Sequence, residues 1–151
     1  MSLSPEEHAF LEKNHAAAMV TLRPDGTSHV ARVGVCLVDG KLWSSGTPDR
    51  VRTEHVRRDP RSTLFVFEPR FGWLGIEART TILDGPGVAE QSARLFQVMQ
   101  GRATDTPSLM WYGQELPVAE FVEAMRAEKR LIYEFEPLRT YGLIGAPGRP
   151  T

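Results

Sequence analysis

One cysteine, Cys36, serves the whole 151-residue chain, so no internal disulfide and no cysteine-cluster zinc site can form. That usage fits a reducing compartment. Lysine is scarce, three residues against fifteen arginines, an imbalance that the base composition of a coding genome explains without reference to function. Charge of one sign is lacking as well. A formal net charge of −1 leaves no global field for nucleic acid or an anionic membrane surface, and any anion site must be local. No run approaches the roughly eighteen apolar residues that a membrane helix needs. The opening M-S-L-S-P-E-E-H has no basic region followed by an apolar one, as a secretory signal would. The expectation is a cytoplasmic protein with neither nucleic-acid nor membrane partners. Also missing are G-x-G-x-x-G and a P-loop, which removes the Rossmann and NTPase readings, and Ser/His/Asp catalysis has candidates by type but no elbow motif to place them. His8, His15, His29 and His55 are scattered without metal-ligand spacing, and no metal is expected.

What is present is an ordinary globular composition, 41% hydrophobic and 25% charged, in a length suited to one domain spanning 1–151. Ser4-Pro5-Glu6-Glu7 is a capping box with proline at the first helical position, predicting a helix over 4–14. Ala16 to Arg23 reads as a strand, Pro24-Asp25-Gly26-Thr27 as a turn, and Ser28 to Val38 as the return strand. His29, Ala31, Val33, Val35 and Leu37 fall on one face of it. Asp39-Gly40 is a hairpin signal leading into Lys41 to Ser45, which predicts a three-strand meander. Thr47-Pro48 predicts a helix start and Asp59-Pro60 its end. Strands over Ser62 to Glu68 and Trp73 to Leu83 follow, then a helical insertion over 88–129. The insertion holds helices Val88 to Gln100 and Leu116 to Lys129 around an irregular stretch, Gly101 to Gln114. Trp111 and Tyr112 in that stretch read either as part of a substrate lid or as packing between the helices. Strands Leu131 to Glu136 and Arg139 to Ile144 close the chain. The sum is a mainly β, α+β protein: a six- to seven-stranded antiparallel split β-barrel, core about 16–84 and 131–144, with flanking helices. Cys36 in a strand reads as a small buried apolar residue.

The segment S-S-G-T-P-D-R-V-R-T-E-H-V-R-R-D-P-R, residues 44–61, gathers five arginines. Two readings of it stand open. A helix beginning at Pro48 would offer unpaired N–H groups and the positive end of its dipole to an anion, with Arg50 and Arg52 as guanidinium forks and Ser44, Ser45 and Thr47 as hydroxyl donors. Alternatively the helix is solvated, with Arg50 paired to Glu54 and Arg57 and Arg58 complementing the dipole at its far end.

The order of strand, P-D-G turn, strand, D-G turn, strand, T-P-D-R-V-R-T-E-H-V-R-R-D-P-R, strand, G-W and a closing T-Y-G resembles the split-barrel flavin and deazaflavin oxidoreductases related to pyridoxamine 5′-phosphate oxidase. It is most similar to the actinobacterial reductases that use coenzyme F420. The resemblance runs from about Phe10 to Gly145. It implies a homodimer with a cofactor at each interface site, F420 or alternatively FMN, and hydride transfer to an unsaturated small molecule. No side chain then need act as a catalytic group, because the ring carries the hydride. The family helix has the pattern R-x-K-x-x-N; Arg50 matches its arginine, Arg52 stands where lysine is usual and His55 where asparagine is usual. By the same resemblance Trp73, His29, Ala31 and Arg32 lie near the ring, and Tyr141 approaches the partner's site. A non-catalytic protein that binds flavin or haem on the same barrel is the remaining alternative.

Overall fold

The structure, a computed structural model, describes residues 1–144; the end of the resemblance at Gly145 and of the expected domain at 151 lie outside the described residues. Helix α1 (Pro5–Lys13) begins as its capping box predicts. The Glu7 N–H donates to Ser4 Oγ at 3.1 Å, and the Ser4 N–H donates to Glu7 Oε1 at 2.7 Å.

Seven strands form one antiparallel sheet: β1 (Ala16–Leu22), β2 (Ser28–Gly34), β3 (Cys36–Val38), β4 (Lys41–Gly46), β5 (Arg61–Phe67), β6 (Trp73–Leu83) and β9 (Leu131–Leu143). Their order across the sheet is β2-β1-β5-β6-β9-β4-β3. The predicted meander is corrected here. Its return strand breaks after Val35, whose N–H makes the last bond to the β1 side by donating to the His15 carbonyl at 2.8 Å. β2 pairs with β1 at one edge and β3 with β4 at the other. Because a single residue joins the two edges, the sheet must curl until they meet, and the Ser44 hydroxyl fastens the seam by donating to the Gly34 carbonyl at 2.7 Å. The break also shifts the alternation, since Val33, Val35, Cys36 and Val38 are all buried.

The two predicted closing strands are instead one strand, β9, with a register shift opposite Glu77 and Ala78 near Pro137. Proline is tolerated there because β4 pairs β9 only as far as Phe135, leaving that side of the strand without a ladder partner. The strand count of seven is therefore reached by one split and one merger.

The barrel interior holds Met19, Val35, Leu42, Leu64, Val66, Leu74, Ile76, Tyr133 and Phe135. Helix α3 (Val88–Met99) covers the outside of β3 and β4, where Leu95 meets Cys36, Val38, Trp43 and Ile132. Helix α4 (Val118–Ala127) packs on α3 through Phe121 and Met125. The stretch predicted to be irregular contains a second, two-stranded sheet of β7 (Ser108–Trp111) and β8 (Gln114–Pro117). Tyr112 and Gly113, both at positive φ (49° and 77°), make its tight turn. The signal was weak because tyrosine is a rare residue for the first of these positions.

Candidate functional site

Helix α2 (Val51–Arg58) carries the site's charged residues and caps one end of the barrel through Val56. It starts later than Thr47-Pro48 predicts. Arg50 is the residue preceding the first turn, and the Thr47 hydroxyl, instead of capping, donates to Asp49. Pro48 and Asp49 form a turn closed by the Arg50 N–H to the Thr47 carbonyl at 3.3 Å. The true anchor of the helix is Thr53. Its hydroxyl donates to the Thr47 carbonyl at 2.7 Å, and having one proton it must accept from the buried Tyr133 hydroxyl. Tyr133 thus ties α2 to β9.

Over the same Tyr133 ring lies the guanidinium of Arg52, 5.6 Å from the centroid. Its Nε is buried with no hydrogen-bond partner, as is the Oγ of Ser45 on β4. Burial lowers the Arg52 pKa from its ordinary value, partly offset by Tyr133, and Arg50 and Arg130 repel its charge further. A buried guanidinium N–H without an acceptor is an unmet demand for an anion. Arg50 likewise has no ion-pair partner among the described residues. Forks of this kind fit phosphate or carboxylate oxygens. The residues present fit a phosphorylated cofactor.

The other arginines of the segment are engaged elsewhere. Arg57 pairs with Asp84 at 3.1 Å, Arg58 donates to the Leu22 carbonyl, and Arg61 bonds Asp59, whose carboxyl it holds down at about 2. The sequence pairing of Arg50 with Glu54 is not formed among the described ion pairs.

His55 faces the barrel end, not the N-terminus of α2. Its Nδ1 lies 2.8 Å from Thr21 Oγ1, and its ring meets His29 edge-on at 5.3 Å. Burial, then the neighbouring His29 and Arg58, lower its pKa. His29 and Ala31 stand on the same interior face of β2, opposite Thr21 and Met19 of β1. Arg32 points the other way, to the outer face, where it pairs across Ala18 with Phe65. That outer row continues through Gly75 to Tyr141, with Trp73 beside it. Trp73 packs against Phe65 at 5.4 Å and against Tyr141 at 6.1 Å. Within one chain the sequence-predicted residues therefore occupy four places. Thr47, Arg50 and Arg52 gather at the start of α2; His29, Ala31, Ser44 and His55 lie inside or at the end of the barrel; Ser45, paired with Ile132, is on the other face of β4 from Ser44; Arg32, Trp73 and Tyr141 share the outer sheet face.

Sequence reasoning missed a cleft of about 560 Å³ between the turn before α2 and the end of α4, lined by Asp49, Arg50, Tyr112, Glu128, Lys129 and Arg130 among others. No local signal marks Arg130, because only the tertiary fold brings the end of α4 to Arg50.

A curled seven-strand antiparallel sheet flanked by four helices, with an arginine-bearing helix at the barrel end, defines a split-barrel fold. The pyridoxamine 5′-phosphate oxidase family profile matches residues 3–139, and the chain belongs to that family. No curated protein matches it. Among solved structures, a conserved hypothetical protein from Mycobacterium tuberculosis is similar with a TM-score of 0.72 at 20% identity, over 100% of this chain and 93% of that one. An F420 reductase gives 0.64 at 17% identity, over 92% of this chain and 98% of its own. An FAD-binding protein from Mesorhizobium loti gives 0.60 at 18% identity, over 97% and 98%. At such identities the likeness is one of fold.

Proposed function

We propose that the protein is an oxidoreductase that binds coenzyme F420 and works as a homodimer with a cofactor site at each interface. The observation that carries this reading is Arg52: a guanidinium set into the barrel end over Tyr133, its Nε buried without an acceptor among the described residues, near Arg50. The F420 reductase among the structures of similar fold supports the choice of cofactor. Arg50 and Arg52 would hold the phosphate. The outer face bearing Trp73, Phe65 and Tyr141 would pack against the ring and the partner subunit, excluding water from both. Arg32, on the same face, would supply a positive charge there. When bound, the reduced deazaflavin supplies a hydride to an electron-poor unsaturated acceptor. This chain's part is to bind, orient and exclude water.

An FMN-dependent enzyme on the same barrel is the second reading, favoured by the same phosphate-seeking arginines and by family membership. Titration of the purified protein with F420 and with FMN, followed through tryptophan fluorescence, separates the two. Tighter F420 binding is the expected result, the reverse preference moves the protein to the FMN branch, and binding of neither ends both readings. Oxidation of the reduced cofactor by a panel of enones, quinones and tetrapyrroles then tests turnover. Binding without oxidation would leave a carrier in place of an enzyme.

A further inference from the structure

The far turn of α2 makes a polar contact that the phosphate site does not use. Thr21 on β1 is fully buried, and the His55 Nδ1 at 2.8 Å is the one partner of its hydroxyl among the described residues. The hydrogen of that hydroxyl is satisfied only if Thr21 donates and the imidazole nitrogen accepts. The contact therefore belongs to a neutral ring with its own hydrogen on Nε2. A proton on Nδ1 takes the acceptor away and leaves the Thr21 hydrogen buried with no partner, which is costly.

The surroundings of His55 act in the same sense. His29 of β2 stands edge-on to its ring at 5.3 Å, with an Nδ1 that is itself buried and unpartnered among the described residues. Arg58, one turn further along α2, and Arg23, just past the end of β1, donate to the carbonyls of Leu22 and Ser28 and have no ion-pair partner among the described residues. β6, also packed against α2, turns the uncharged Ala78 and Thr80 inward. Burial lowers the His55 pKa most, His29, Arg58 and Arg23 lower it further, and only the exposed Glu54 opposes them.

His55 shares its short helix with the anion site. Arg52 precedes it by three residues, about 4.5 Å along the axis, and Thr53, the anchor of the helix, lies between them. A helix of eight residues is too short for one turn to shift while the other stays.

We propose that Thr21 and His55 form an acid-sensitive latch: with His55 neutral it holds α2 where Arg52 meets the cofactor's phosphate, and a proton on His55 frees the helix and weakens cofactor binding. The inference rests on the cofactor reading and adds its regulation by pH. Proton and cofactor then compete without touching, because each favours a different seat of α2. Direct attraction of an imidazolium for the anion has the opposite sign, and salt screens it.

F420 affinity of the wild type and His55→Asn at about pH 8 and about pH 5.5, on either side of the ordinary imidazole value, tests it. Binding is followed through tryptophan fluorescence, and the folded fraction at each pH through circular dichroism. Asparagine keeps an acceptor for Thr21 and takes no proton, and the ligand's own groups titrate alike with both proteins. On acidification the wild type is expected to lose affinity about fivefold or more relative to His55→Asn. Thr21→Val, which keeps the shape and removes the hydroxyl, is expected to bind more weakly than the wild type by about fivefold or more at about pH 8. Equal falls in the wild type and His55→Asn overturn the latch while leaving the cofactor reading intact. A wild-type affinity that rises in acid relative to His55→Asn, or an unchanged affinity in Thr21→Val, overturns it as well. Failure of the wild type to bind F420 at about pH 8 overturns both readings together.

Discussion

Arg50 and Arg57 belong to one short segment and meet opposite surroundings. Arg57 is satisfied by Asp84 on an exposed surface, where a pair is worth at most about 1 kcal/mol. Arg50 faces the cleft without an ion-pair partner among the described residues. Arg50→Glu is therefore expected to lower cofactor affinity at least tenfold, about 1.4 kcal/mol, while Arg57→Glu leaves it nearly unchanged; equal losses would mean a diffuse basic surface. His55 supplies a second test at this scale. Burial, His29, Arg58 and Arg23 lower its pKa from 6.5 against a small opposing effect of Glu54, so the folded state resists a proton that the unfolded chain accepts. Below about 6.5 the unfolded state binds more protons, and stability falls as pH drops through that value, with no effect above it. The urea midpoint should fall between about pH 7.5 and about pH 5.5 in the wild type, and fall less in His55→Gln. Parallel falls in the two proteins would assign the effect to other groups. The sequence offered both histidines as ring-facing or cofactor-binding residues; that His55 is buried against Thr21 with the half-buried His29 edge-on to it depended on α2 folding onto the barrel end, which no local pattern encodes.

Among the elements, α2 shows how tertiary contacts override a local start signal. Thr47-Pro48 has the composition of a cap, yet the helix begins at Val51 because Thr53 and Tyr133 hold its first turn from the inside. The approach is equally constrained: a Cβ at Gly46 would overlap the Tyr133 hydroxyl and ring, and that hydroxyl is committed to Thr53. Gly46→Ala should therefore destabilise the protein by roughly 1–3 kcal/mol, the range of an overpacked core, and weaken cofactor binding along with it. A stability change below about 0.5 kcal/mol, the level of an ordinary surface substitution, would show that Tyr133 does not lock α2. Where the elements rest on local chemistry, the capping box of α1 and the Asp39-Gly40 hairpin, sequence and structure coincide. Where they rest on pairing, they part: Val35 breaks one predicted strand, β9 joins two, and the β7–β8 hairpin forms on Trp111 packing against Phe96 and Phe121.

At the scale of the molecule, the outer sheet face is where the proposed dimer would form. Phe65 is 41% and Phe67 39% exposed, stacked on each other beside Trp73, and Tyr141 is 39% exposed on the same face. A large exposed aromatic patch on a sheet marks an interaction surface. Light scattering is expected to give a dimer for the wild type and a monomer for Phe65→Asp, with cofactor affinity lost in the monomer. A monomeric wild type that still binds cofactor would remove the partner from the site.

The sequence by itself determined the class of fold and most of its punctuation, because alternation, caps and turn residues act within a few positions of the backbone. It also marked Arg50 and Arg52, whose charge at the start of a helix is visible locally. Which of the five arginines remain free, the curl that joins β2 to β3, and the approach of Lys129 and Arg130 to Arg50 were decided only by the tertiary structure. Each depends on contacts between segments distant in the chain, and hydrogen bonding, burial and charge pairing at such contacts are set by packing, not by sequence neighbours.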